Sequence, residues 1–120
     1  MPVQNNGLAI VDGVNTTMGT FNTFVDTCKR VTSMLRKNRV VSDAQMRILE
    51  NQAAAAITCA KANSQYRVLK ELTDLSIDAI RYARGVAKNP EELNVALKFA
   101  YTFSDSLEKE LKNFLSHRLE

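Results

Sequence analysis

The sequence predicts an all-α protein, and three observations carry that prediction. Gly and Pro are scarce, four and two among 120 residues, whereas a sandwich or barrel needs turn residues every ~8–12 positions. The stretch Asp43–Arg84 runs for 42 residues without either of them. It is rich in Ala, Leu, Gln, Glu, Lys and Arg, the side chains that lose least freedom on entering a helix. On either side of it, apolar residues recur at spacings of three and four, the period of a helix face packed on another helix. Together these give a bundle of three long helices, about 15–38, 43–84 and 90–118. If the middle helix breaks near Asn63-Ser64, the same residues give an up-down four-helix bundle.

The totals fit one helical domain spanning the chain. Hydrophobic residues make up 45 % and charged residues 24 %, which is globular usage and argues against a disordered chain. No apolar run approaches the ~20 residues that cross a bilayer, and no basic-then-apolar leader is visible at the N-terminus. The expected compartment is the cytoplasm, with no membrane contact.

Taken in order, residues 1–13 hold Gly7, Gly13 and the short apolar run Leu8-Ala9-Ile10-Val11. A lone strand would have no partner in a helical protein, so this segment reads as an N-terminal arm packed on the core. The first helix then carries Met18, Phe21, Val25, Cys28, Thr32 and Leu35 on one stripe. Phe24 and Val31 widen that stripe, so more than one neighbour is expected.

Ser42-Asp43-Ala44-Gln45 is a capping box that opens the middle helix. The first half of that helix should bury Met46, Leu49, Ala53, Ala56, Ile57 and Ala60. The second half should bury Val68, Leu72, Leu75, Ala79 and Ala83, with Leu69 and Ile80 beside them. The two stripes are rotated by roughly 110° at ~100° per residue. Either one straight helix shows two faces to two neighbours, or the helix breaks. Turning back within two residues without Gly or Pro is difficult, which favours the unbroken form.

Gly85 should end that helix in the left-handed conformation. Asn89-Pro90-Glu91-Glu92 opens the last one, with Asn89 as cap, Pro90 in the first helical position and two glutamates at the positive end of the dipole. The last helix should bury Leu93, Ala96, Leu97, Ala100, Phe103, Leu107, Leu111, Phe114 and Leu115. Leu119-Glu120 resembles the scar left before a purification tag. No internal repeat is present.

Two cysteines, Cys28 and Cys59, read as small buried apolar residues. Antiparallel pairing of the helices around them sets Cys28 opposite Ala53. Cys59 then lies ~9 Å further along, beyond the ~7 Å Cα separation a disulfide allows.

Residues that would carry chemistry are sparse. His117 is the only histidine, and a metal site wants several ligands at fixed spacing. No cofactor is implied, and no acid, base and nucleophile come together, so the chain reads as non-enzymatic. Glu71, Asp74 and Asp78 share a helix face opposite the second apolar stripe and read as solvated charges, supported by Arg67–Glu71 and Lys70–Asp74 pairs.

Charge is more informative. The net charge is +3, spread as +3 over residues 1–39, +2 over 40–89 and −2 over 90–120. Lys29 and Arg36 lie seven apart, as do Arg30 and Lys37, so they form two columns along the first helix. Arg39 extends this patch, and Arg47 joins it across the turn. Cations in a last turn also complement the helix dipole.

Two functions follow. The leading one is a helical interaction or adaptor protein acting through helix–helix association, with a second copy or a helical partner. A straight middle helix would make the chain a Z with little shared core. Phe24, Val31, Val95 and Phe99 would then stay wet, and with Ala53 and Ala56 they would form the seam of a homodimer. The alternative is a small basic regulator binding nucleic acid through Lys29, Arg30, Arg36, Lys37, Arg39 and Arg47. No aromatics interleave with those cations, which weakens stacking on single strands.

Overall fold

Four helices run up and down around a shared core: α1 (Pro2–Arg36), α2 (Asp43–Ala60), α3 (Tyr66–Gly85) and α4 (Pro90–Leu119). The computed structural model describes the backbone of residues 2–119 and the side chains of residues 16–113. Each helix packs on its two neighbours in the order α1, α2, α3, α4 and back to α1. Contact across the middle joins α1 to α3, whereas α2 and α4 do not meet among the described residues. The body measures 59 × 25 × 19 Å.

The first helix differs from expectation at its start. It begins at Pro2, so residues 2–13 are its first turns and not a separate arm. Pro2 suits a first helical position, and Gly7 and Gly13 each cost a helix about 1 kcal/mol without ending it. The side chains of Leu8–Val11 lie outside the described residues, as do those of Phe114, Leu115 and His117. The C-terminal end of α1 is closed by Asn38, which takes φ 59°. The Arg39 amide donates to the Met34 carbonyl at 2.8 Å and the Asn38 amide to Leu35 at 3.1 Å. That pair of bonds is the Schellman arrangement, with Asn in the place glycine usually takes.

The capping box is present. The Gln45 amide donates to Ser42 Oγ at 3.2 Å, and the Ser42 amide donates to Gln45 Oε1 at 2.8 Å. The middle helix is broken, so the four-helix form holds and the straight middle helix does not. The break covers residues 61–65, wider than a two-residue reversal, and that width removes the need for Gly or Pro. Asn63 supplies the turn chemistry instead: its Oδ1 accepts from the Gln65 amide at 2.7 Å, and its carbonyl accepts from Tyr66 at 3.1 Å. An Asn side chain mimicking backbone in this way is a known turn former.

Gly85 closes α3, but not in the left-handed conformation, since no described glycine has positive φ. The Val86 amide bonds Tyr82 at 3.0 Å, the Asn89 amide bonds Val86 at 2.9 Å, and α4 restarts at Pro90. Asn89 Oδ1 accepts from the Glu92 amide at 3.2 Å, so the expected cap is in place.

The core is built from Phe21, Phe24, Val25, Cys28, Val31 and Leu35 of α1 and Met46, Leu49, Ala53, Ala56 and Ala60 of α2. Leu93, Ala96, Leu97, Ala100, Leu107 and Leu111 of α4 complete the expected part. Helix α3 departs from expectation. Its buried line is Leu69, Thr73, Ser76, Ile80 and Ala83, joined by Ile77 and Ala79. Val68 is exposed, and Leu72 and Leu75 are half-buried. The helix is turned by about one residue, or ~100°, from the stripe counted on apolar side chains alone. Two hydroxyls make this affordable: Thr73 donates to Leu69 and Ser76 to Leu72, both at 2.7 Å. A buried hydroxyl bonded to the preceding turn carries no unmet donor.

Cys28 is buried and Cys59 exposed, both as free thiols. Cys59 therefore departs from expectation. It sits beside the Ala53-Ala56-Ala60 line, in the last turn before the open 61–65 connection.

Candidate functional site

The six cations of the proposed anion site do not form one patch. Lys29 and Arg36 stand on the flank of α1 that faces α4. They border a groove of about 260 Å³ together with Thr32, Tyr101, Ser104, Asp105 and Glu108. Lys29 Nζ lies 3.2 Å from Glu108, so this cation has an acid partner within the chain. Arg30 and Lys37 are exposed on α1, and Arg47 is exposed on α2 next to Asp43. Arg39 borders a separate hollow of about 900 Å³ at the loop end of the bundle, shared with Arg84 and Lys88. Arg84 is engaged there: its Nε donates to the Val41 carbonyl at 2.8 Å, and its Nη2 pairs with Asp43. That contact holds the Asp43 carboxyl below its usual range, by hydrogen bonding first and charge second. Lys88 went unnoticed in the sequence because it lies in a different connection from Arg39, and only folding places the two together.

The proposed dimer seam is also divided. Phe24, Val31, Ala53 and Ala56 are all buried in the chain's own core. Breaking the middle helix closed the bundle over them, so they no longer argue for a second copy. Val95 and Phe99 remain exposed, at 50 % and 52 %.

These two residues belong to a larger surface. Helix α3 uses one flank to face α2, as Arg84–Asp43 and an Arg81–Glu50 pair at 3.3 Å show. Helix α4 uses one flank to face α1, as Lys29–Glu108 shows. The other flanks of α3 and α4 therefore meet each other along an outer seam. On the α3 side that flank is Val68, Leu72, Leu75 and Tyr82, with Val86 just past the helix end; Ala79 lies on the same line, spaced four and three alternately, but is buried. On α4 it is Val95, Phe99 and Phe103, and the two phenylalanine rings stack with centroids 6.2 Å apart. Val68 is 43 % and Tyr82 53 % exposed. Leu72, Val86 and Phe103 rest on the core with their outer edges open.

The charges around this seam are of one sign. By the ~100° helical step, Glu71 shares the α3 flank, and Glu92 and Glu110 share the α4 flank. No Lys or Arg stands on either flank among the described residues. Asp78 and Asp74 follow Glu71 round the helix, about 20° and 60° further from the seam by the same step, and have partners, Arg81 at 3.4 Å and Lys70 at 2.9 Å. The sequence did hold a signal for this seam: the apolar line from Val68 to Val86 runs one residue off the buried line Leu69, Thr73, Ser76, Ile80 and Ala83, and the core covers it only in part.

Chemistry-bearing clusters are few. Among the described residues no three His, Cys, Asp or Glu side chains gather as a metal would need. Burial pushes the Cys28 thiol up to about 12, against a smaller opposing effect of its contact with Ser104. No described helix is long and apolar enough to cross a membrane. Compared with protein-family models, curated proteins and solved structures, the chain finds no match.

Proposed function

We propose that this protein is a binding module that receives a helix of a partner protein along the outer α3–α4 seam. One observation carries the reading. A heptad-spaced apolar line, Val68 to Val86, lies beside stacked Phe99 and Phe103 and is left partly uncovered by the fold. Apolar side chains left exposed along one seam of a helical protein are typical of an interface. A groove between two helices takes an amphipathic helix whose anchors recur at three and four. From Val68 to Val86 the line runs about 27 Å at ~1.5 Å per residue, the length of five turns of a partner helix.

Site-specific photo-crosslinking in the native cell tests this. A photoreactive residue at Val95 or Phe99 should give one discrete protein adduct, and one at Asn51 or Ala54, exposed on α2, should give none. Equal adducts from both faces, or none from the seam, would refute the docking reading.

The second reading, anion or nucleic-acid binding, is favoured by a single observation: Arg39 and Lys88 border one hollow at the loop end. If it holds, nucleic-acid affinity falls linearly with salt on a log–log plot, and Arg39→Ala with Lys88→Ala lowers the slope by about two.

A further inference from the structure

We infer that the helix accepted by the α3–α4 seam belongs to a different protein and is basic along the edges of its apolar stripe. This inference rests on the docking reading above and adds the partner's chemistry to it. The argument is charge complementarity. A chain of net charge +3 keeps Lys and Arg off both flanks of the seam among the described residues, while Glu71, Glu92 and Glu110 border it.

The acids are placed to act on a docked helix. A helix lying on the Leu75–Phe99 line sets its flanking positions against the borders, where Glu71 and Glu110 stand. In paired helices, charges at those flanking positions decide which partner and which orientation is accepted. A Lys or Arg there would gain an acid across the seam, and a Glu would meet a like charge.

The same acids argue against a second copy. A two-fold dimer through this seam would set Glu71, Glu92 and Glu110 of one copy among the same three of the other. Like charges juxtaposed at an interface select against that pairing. The exposed cations Arg30 and Lys37 of α1 do not serve as the complement either. They stand beside exposed Asp26 and half-buried Ser33, not on an apolar stripe.

The test uses the full chain and two fluorescent synthetic helices of about 21 residues, three heptads. Both carry Leu at the core heptad positions. One carries Lys at the flanking positions and the other Glu. At ~50 mM salt, anisotropy should show the Lys helix binding at least about tenfold tighter, a preference that collapses near ~1 M salt as charges are screened. Glu71→Lys with Glu110→Lys should reverse the preference, and Phe99→Ser should weaken both helices. Light scattering of the chain alone should give a mass near 13.4 kDa.

Each contrary result has one meaning. Equal binding of both helices, unmoved by Glu71→Lys with Glu110→Lys but weakened by Phe99→Ser, overturns the basic partner and leaves the docking surface standing. No binding of either helix overturns both. A dimer mass that Phe99→Ser returns to the monomer value shows that the occupant is a second copy and overturns the different-protein assignment.

Discussion

Helix α4 has two flanks, and the chain treats them in opposite ways. Against α1 the flank is mostly polar, bordering a groove that leaves Tyr101 exposed, and its charges are paired. Lys29 pairs with Glu108, Asp105 pairs with Lys109 at 3.0 Å, and Ser104 donates to the Ala100 carbonyl at 2.8 Å. Both signs of charge are present, and those named are answered within the molecule. Against α3 the outer flank is apolar and open, with Phe99 half in water and acids at its border. One helix thus shows how a fold separates what it uses from what it offers. Polar groups that answer one another need no further partner. Apolar area left in water is a reserve of burial free energy, about 25 cal/mol per Å², that only another molecule can realise.

The largest test of that contrast uses one residue type in two places. Phe24 is fully buried and Phe99 half exposed. Phe24→Ala should destabilise the chain by about 3–5 kcal/mol in urea unfolding, and Phe99→Ala by less than about 1 kcal/mol, as a surface change does. Comparable losses at the two sites would show that the α3–α4 flank belongs to the core and is not an open surface.

The two cysteines sharpen the comparison at the next level. At pH 8 iodoacetamide should modify exposed Cys59 readily and buried Cys28 only through unfolding, as read by mass spectrometry of tryptic peptides. The pH dependence has a definite sign. The unfolded Cys28 thiol releases its proton near its ordinary 9.0, and the folded one holds it to about 12. Between those values the unfolded chain binds fewer protons, so stability should fall as pH rises and be fully present below 9.0. Cys28→Ala should remove that slope, though it also costs packing. A slope unchanged in the variant would assign it to other groups.

The smallest expected effect is on the α1-facing flank itself. Lys29 and Glu108 are both partly exposed, and such pairs contribute about 0–1 kcal/mol. Lys29→Ala should lower the urea midpoint slightly, and the difference should vanish in ~1 M salt. A loss well above that range would make this ion pair structural and give the α1–α4 groove more weight in the fold than its exposure implies.

Much of the architecture was legible in the residues. Ser42–Gln45 and Asn89–Pro90 marked two helix starts because capping is local chemistry, settled within four residues. The α1 stripe from Phe21 to Leu35 and the α4 line from Leu93 to Leu111 were legible because each helix needs one dry face, and apolar spacing records it. The rotation between the two halves of the Asp43–Arg84 stretch pointed to a break, although its roughly 110° was counted on the Val68–Ala83 stripe and the buried α3 line lies one residue further round. Its reading as one straight helix failed because Asn63 made a turn that neither Gly nor Pro announced.

What the sequence alone determined was the set of helices and the apolar lines along each. The tertiary structure decided which line on α3 faces inward, because Thr73 and Ser76 satisfy their hydroxyls on their own helix and so can be buried, a freedom that hydrophobicity counts as a cost. By closing the bundle it also took Phe24, Val31, Ala53 and Ala56 for the core and left Val95 and Phe99 outside. It split the six cations in the same way, since Lys29 met Glu108 on another helix and Arg39 met Lys88 in another connection. Exposure and charge neighbourhood are properties of residues distant in the chain and adjacent in space. Spacing along one helix names the residues that can share a face, and only packing says whether that face is kept or offered.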